Sequence, residues 1–83
     1  MKIAFSKHAR YQMLERNISE KEIILTLSNP DKIISQPRSK FQAVKLLKKA
    51  GKKYLMVVIY RKINSIKKVI TAFLTTKIEK YLK

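Results

Sequence analysis

The first seventeen residues have the pattern of a short strand followed by a helix. Residues 2–5 alternate between polar and apolar side chains, which is the period of a half-buried strand. Ser6 is a candidate N-cap, because a serine oxygen there can accept a hydrogen bond from the first helical turn. The helix is predicted to run to about Arg16, and Asn17 suits the left-handed residue that ends it.

A second helix is predicted between Ser19 and Asn29. Ser19 and Glu22 have the spacing of a capping box, in which each side chain accepts a hydrogen bond from the other residue's backbone. Asn29 precedes a proline, and a residue in that position avoids the helical region of backbone space. The face of this helix that packs on the rest of the protein is predicted to carry Ile23, Ile24 and Leu27.

The pattern changes to that of strands after residue 31. Residues 32–36 are predicted to form a strand with Pro37 at its end, and residues 41–48 are ambiguous between strand and helix. Residues 54–61 are apolar on both faces, which is typical of a central strand covered on both sides. Residues 68–75 are rich in β-branched side chains and predict the last strand.

Two turns separate the last three of these strands and favour antiparallel pairing between them. Gly51 stands where a turn needs a positive φ, and Asn64-Ser65 forms the next turn. Apolar residues at positions 78, 81 and 82 allow a short terminal helix. We therefore predict a single α+β domain over residues 1–83, in which two N-terminal helices pack on an antiparallel sheet of about four strands.

The composition limits the chemistry of the chain. Its 83 residues include no cysteine and one histidine, so disulfides, thiolate sites and multi-histidine metal sites are excluded, and we expect neither a metal nor a cofactor. No signal-peptide pattern is present, and the longest apolar run, residues 55–60, is far too short to span a bilayer. We therefore expect a cytoplasmic protein.

The charge is strongly positive and unevenly distributed. The formal net charge is +15, and residues 32–83 contain fifteen basic residues but one acidic residue, Glu79. Biased base composition can enrich lysine, but it should also enrich glutamate. Because self-repulsion costs stability, a polyanionic partner, most simply RNA, explains this charge better, and we expect it to bind the sheet face opposite the helices. The sequence contains no long basic amphipathic helix of the kind that binds a membrane surface, so we expect no membrane partner.

Residues 5–19 resemble the opening of a known family. His8-Ala9 begins the pattern H-A-x-x-x-M-x-x-R-x-I-S, Asn29-Pro30 matches the end of that family's next helix, and residues 69–73 match a V-I-T-A-F strand. This resembles small uncharacterised domains grouped with the RelE/ParE-like toxin superfamily. The resemblance implies a RelE-like fold and a metal-independent ribonuclease that cuts mRNA, often on the ribosome, and is inhibited by an acidic antitoxin. Other members of the superfamily act on gyrase.

Four residues are candidates for chemistry or phosphate binding. Metal-free RNA cleavage needs a base, an acid and cations near the phosphorane. His8, at the family's histidine position, is the candidate acid or base; alternatively it packs near a helix start. Arg16 could bind phosphate or pair with a nearby glutamate. Arg38 and Arg61 are candidate catalytic cations, because arginine binds phosphate bidentately; Arg61 could equally be a solvated charge.

The remaining candidates are binding residues, each with a plainer structural alternative. Six lysines, named below, could together bind along a phosphate backbone, although each alone could be a solvated charge. Tyr60 could stack on a base or pack within the sheet, and Thr71 could bind phosphate or simply favour the strand. The candidate lysines are Lys45, Lys48, Lys49, Lys52, Lys53 and Lys68.

Three functional hypotheses follow from these residues and from the resemblance. The first is a toxin-like, metal-independent endoribonuclease with an acidic antitoxin partner. The second is a non-catalytic RNA- or DNA-binding protein that uses the same basic face. The third is a ParE-like toxin directed at gyrase.

Overall fold

The computed structural model describes residues 2–82, which form a five-stranded mixed sheet and three helices. The protein therefore has the predicted α+β class. Among residues 2–82, none of the helices has the length and apolar character that a membrane span requires. In chain order the elements are β1 (Lys2–Phe5), α1 (Lys7–Glu15), α2 (Glu20–Ser28), β2 (Lys32–Gln36), β3 (Lys40–Lys49), β4 (Lys52–Ile63), β5 (Ile66–Thr75) and α3 (Ile78–Leu82).

The sheet differs in detail from the predicted antiparallel sheet of about four strands. Strands β2 to β5 form an antiparallel meander, but β1 lies at the far edge and pairs in parallel with β5, giving the order β1-β5-β4-β3-β2. The backbone N–H of Ser6 continues this pairing by donating to the Val69 carbonyl at 3.1 Å. Parallel pairing is possible here because a long connection, α1 to β4, separates the two strands in the chain.

The predicted helix ends are confirmed. The Ser6 hydroxyl accepts a hydrogen bond from the Ala9 N–H at 3.0 Å, and Asn17 after α1 has a φ of +54°. Ser19 and Glu22 form the complete capping box at the start of α2, and Asn29 caps its end. These local motifs fix where each helix begins and ends.

The buried face of α2 differs from the predicted one by one residue. Ile23 and Leu27 are buried, but Ile24 is 42% exposed, and Thr26 is buried in its place. Positions 23, 26 and 27 follow the i, i+3, i+4 spacing of one helix face, whereas Ile24 is turned away by about 100°. The Thr26 hydroxyl is satisfied because it donates to the Glu22 carbonyl at 2.8 Å.

Strand β4 is the predicted central strand and is buried on both faces. Met56, Val58 and Tyr60 pack with the residues of α1 and α2 on one face, which we call the helix face. Leu55 and Val57 lie on the second face. They pack with Val44 and Phe73 of the neighbouring strands and with the α3 residues Ile78, Tyr81 and Leu82.

The short helix α3 covers one half of the second face. It packs against Leu55 and Val57, which lie toward the start of β4. Further along β4, Ile59 is half-buried and Arg61 and Ile63 are exposed on the same face. The uncovered half of this face contains the candidate site.

Candidate nucleic-acid interface

Strands β3 and β4 connect two ends of the molecule. At one end, here called the loop end, the β2–β3 loop (residues 37–39) lies beside the β4–β5 turn (residues 64–65). At the other, the hairpin end, Ala50 and Gly51 join β3 to β4 with φ values of +51° and +78°, so the predicted positive φ at Gly51 is confirmed. The nine residue steps from Lys40 to Lys49 in β3 separate the ends by about 30 Å.

Three cations form a row across the loop end on the second face. Lys40 of β3 lies directly opposite Arg61 of β4, and Arg61 lies directly opposite Lys68 of β5. Neighbouring strands are about 4.8 Å apart, so like charges directly opposite repel one another. No acidic residue occurs in the sequence between Asp31 and Glu79 that could neutralise them locally. We call Lys40, Arg61 and Lys68 the cation row.

Arg38 stands beside the row in a loop with an uncommon backbone conformation. Arg38 and Ser39 have φ values of +63° and +58°, a region that costs a residue with a side chain about 1–2 kcal/mol. The Lys62 N–H donates to the Ser39 carbonyl at 3.3 Å and ties the loop to β4. Arg38 and Arg61 thereby line one depression, with Gln36, Pro37 and Lys40.

A second depression continues from the first across the strands. It shares Lys40 and Arg61 with the first and adds Lys68 together with Ser6, Ile63 and Ile70. Ile70 is an extra residue in β5, where the register with β4 shifts after Ile59. Such a bulge redirects neighbouring side chains, and bulges are frequent beside functional sites. The two depressions form one path across the strands, lined by basic side chains and, in its second part, also by Ile63 and Ile70.

His8 does not line either depression in the described part of the chain. It is exposed in the first turn of α1, two residues after Ser6, which lines the second depression. One turn later on the same side of α1, Gln12 accepts a hydrogen bond from the Thr71 hydroxyl. The structure therefore brings Arg38 and Arg61 together and leaves His8 outside both depressions.

Arg16 and Thr71 both have partners within the protein. The Arg16 guanidinium donates through Nη1 to the Ala72 carbonyl at 2.8 Å, on the part of β5 that extends beyond β1. The structural partner of Arg16 is thus a backbone carbonyl rather than a glutamate. With Thr71 bonded to Gln12, both residues hold α1 against β5, and their role in phosphate binding stays a prediction.

The lysines near the β3–β4 hairpin do not form one patch. Lys45 donates to the Asn29 carbonyl at 2.9 Å, and Lys49 pairs with Glu22 at 2.9 Å, so both lie on the helix face. Lys48 and Lys53 lie opposite each other on the second face. Lys52, opposite Lys49, begins β4. The alternation of side chains along the strands divides the predicted cluster between the two faces.

The charge of Lys49 is already used within the fold. Burial alone would raise the pKa of Glu22, but hydrogen bonds from the Ser19 backbone N–H and the Lys49 ammonium, with smaller contributions from the Ser19 hydroxyl and the Lys49 charge, lower it overall. Lys49 also donates to the Asn17 carbonyl at 3.4 Å. Of the hairpin lysines, Lys48, Lys52 and Lys53 are exposed.

Tyr60 is a packing residue. It is 1% exposed and stacks on Phe41, with ring centroids 5.5 Å apart. Burial raises the pKa of its hydroxyl. Stacking on a base needs an accessible ring face, so the structure supports the packing interpretation of Tyr60 and leaves its ring without a free face for RNA.

Several residues of the candidate interface were not predicted from the sequence. The most important of them is Lys40, which lines both depressions and lies beside Arg61 in the sheet although twenty-one positions separate the two residues in the chain. Gln36 and Ser6 line the depressions as well. The short loop of residues 37–39, across which Gln36 pairs with Lys40, is the sequence feature that could have indicated this position.

Comparison with known proteins gives a family but no characterised relative. The searches of curated proteins and of solved structures found no match. Residues 5–74, which run from the end of β1 to near the end of β5 and contain the whole cation row, match one family model. The chain therefore belongs to the family described as "Domain of unknown function (DUF4258)".

Proposed function

We propose that this protein is a toxin-like endoribonuclease that acts on mRNA without a metal ion and binds the phosphate backbone along the cation row. The observation that carries the proposal is the row itself: Lys40, Arg61 and Lys68 on three adjacent strands, with no acidic residue nearby in sequence. Mutually repelling cations gain stability when a phosphate chain binds them and releases its counterions.

In this proposal, Arg38 and Arg61 stabilise the negative charge that develops during metal-free cleavage. When a 2′-OH attacks the adjacent phosphate, negative charge grows on the phosphorane oxygens, and preorganised donors stabilise it. Arg38 and Arg61 line one depression and can each present a bidentate fork to such a group. Their roles in the proposal are to bind the scissile phosphate and to stabilise the transition state.

His8 is the proposed general acid or base, acting from the first turn of α1. It follows Ser6 by two residues, so RNA that runs along the row toward β1 passes the first turn of α1. A proton-transferring group must reach hydrogen-bond distance of the reacting oxygen in the bound complex. In this arrangement the scissile phosphate lies over Arg61, with Arg38 on one side of it and Ser6, beside the first turn of α1, on the other.

One observation favours the second hypothesis, a non-catalytic RNA- or DNA-binding protein. Neither depression, as far as the described residues define it, is lined by a histidine or a carboxyl group. Binding needs the cation row and Arg38 alone, whereas cleavage also needs His8.

The resemblance contributes the finer fold assignment and the protein partner. A RelE-like domain over residues 1–83 is supported by N-terminal helices on one face of the sheet and a partly bare second face. An acidic antitoxin would match the cation row, because complementary charge steers partners together. The ribosome as the place of action and a cytoplasmic location belong to the same proposal.

The decisive experiment combines free RNA and translating ribosomes. The purified protein is incubated with free RNA in EDTA, and separately with ribosomes in their magnesium buffer, and the product ends are analysed. The proposal predicts products with 2′,3′-cyclic phosphate ends in at least one assay. With free RNA, these products should form even in EDTA; with ribosomes, they should form on the bound mRNA. Binding without cleavage in either assay favours the second hypothesis. Absence of binding contradicts both.

A further inference from the structure

Lys62 and Lys67 form a second pair of cations at the loop end, on the opposite face from the row. They lie directly opposite each other on β4 and β5. Because successive side chains of a strand point to opposite faces, this pair lies on the helix face, whereas Arg61 and Lys68 lie on the second face. The pair lines a shallow depression over the β4–β5 turn, together with Asn64, Ser65 and Ile66.

Each of these ammonium groups lies over an aromatic ring. The Lys62 Nζ lies 5.0 Å from the centroid of the Phe41 ring, and the Lys67 Nζ lies 5.2 Å from that of Tyr60. The rings stack on each other and stay largely within the core. A cation over a ring face is attracted by the ring while it keeps its positive charge. The two rings therefore favour positions in which both ammonium groups stay charged beside the turn.

The pair lacks a counter-charge. Neither ammonium takes part in an ion pair within residues 2–82. Partial burial, and then the positive charge of Lys62, lowers the pKa of Lys67. Like charges directly opposite on neighbouring strands destabilise a sheet, and an anion bound between them removes that cost.

We propose that Lys62 and Lys67 form a second phosphate subsite, which a single-stranded RNA occupies by bending around the β4–β5 turn from the cation row. The inference rests on the proposed RNA binding and extends it. Arg61 and Lys62 are adjacent in β4, as are Lys67 and Lys68 in β5, so the same two strand ends supply both subsites. The turn between them contains two small polar residues, Asn64 and Ser65.

The geometry selects a single strand over a duplex. To contact both faces of one sheet, the nucleic acid must reverse direction over a two-residue turn. A DNA duplex has a persistence length of about 50 nm and does not bend that sharply, whereas a single strand does. A duplex is therefore expected to contact the cation row without the Lys62 and Lys67 subsite.

The test measures the salt dependence of affinity for a single-stranded RNA and for a DNA duplex of the same length. The variant Lys62→Gln/Lys67→Gln is compared with wild type and with Lys21→Gln/Lys77→Gln, which removes two exposed lysines far from the loop end. On the single strand, the slope of log K against log salt should become shallower by about 1.4, because each phosphate contact contributes about 0.7. On the duplex the slope should not change.

Further variants separate the subsite from folding and from the proposed function. Lys62→Gln alone changes an exposed side chain and should reduce the slope by about 0.7, and Lys62→Arg/Lys67→Arg should restore it. An unchanged slope, or an equal change on the duplex, overturns the subsite while binding through the cation row stands. If the wild-type protein binds no RNA, both the subsite and the proposed function are wrong.

Discussion

The basic residues of the loop end differ in what each can do to a phosphate. Lysine offers a compact point charge, whereas arginine offers a planar fork whose hydrogen bonds fit two phosphate oxygens. Arg38 and Arg61 share one depression, and the lysines of the row flank them. Charge and geometry can therefore be separated by experiment at single residues.

Arg61→Lys keeps the charge and removes the fork. We expect the salt slope of RNA binding to stay within experimental error, while the cleavage rate falls about tenfold or more because a transition-state donor is misplaced. Single-turnover cleavage and filter binding on the same RNA measure the two effects. Equal cleavage by Arg61→Lys and wild type would show that Arg61 acts through charge alone.

His8→Ala separates chemistry from binding. Loss of a general acid or base should lower the cleavage rate by about 10²–10⁴-fold. Affinity for RNA should change little, because His8 lies outside both depressions. His8→Gln serves as a variant that retains a polar side chain. If His8→Ala cleaves at the wild-type rate, the acid/base assignment is wrong.

Sequence reasoning was accurate for elements whose signals are local. The Ser6 cap, the Ser19 capping box and the Asn29-Pro30 stop each depend on residues within one helical turn, so they are readable from sequence. The pairing of β1 with β5 depends on contacts more than sixty residues apart and was missed. The cation row depends on the registers of three strands, which the composition of each strand does not specify.

The loop that carries Arg38 gives an element-scale prediction. Ser39 has a φ of +58°, which glycine adopts without a steric cost. Ser39→Gly should therefore leave the free energy of unfolding unchanged or raise it by up to about 1 kcal/mol, as measured by urea unfolding. The control Ser35→Gly, in extended strand β2, should destabilise by about 0.5–1 kcal/mol. Clear destabilisation by Ser39→Gly would show that the Ser39 side chain supports the loop.

The link between α2 and the hairpin should depend on pH. The folded-state pKa of Glu22 is lowered from its ordinary value of 4.5, so its contribution to stability is complete above that value and is lost as pH falls through the folded pKa. The free energy of unfolding should therefore differ between wild type and Glu22→Gln at pH 7, and the two should converge in acid. A difference that is independent of pH would contradict this role of the Glu22 charge.

At the scale of the whole molecule, the fold divides its basic residues between internal contacts and an exposed row. On the helix face, Lys45 and Lys49 are used internally, since they bind the α1 and α2 termini and Glu22. On the second face, α3 covers the apolar half, and the cation row occupies the half left bare. The sequence indicated a basic sheet. The packing of the helices determines which of its lysines have partners within the protein.

The most direct test of the account compares two triple variants of equal net charge. Lys40→Gln/Arg61→Gln/Lys68→Gln removes the cation row, and Lys21→Gln/Lys77→Gln/Lys80→Gln removes three exposed lysines elsewhere; each lowers the formal net charge from +15 to +12. The salt dependence of single-stranded RNA binding is measured for both and for wild type. Loss of three phosphate contacts should make the slope shallower by about 2 in the row variant. The control should keep the wild-type slope. Equal slopes in the two variants would contradict the assignment of RNA binding to the cation row.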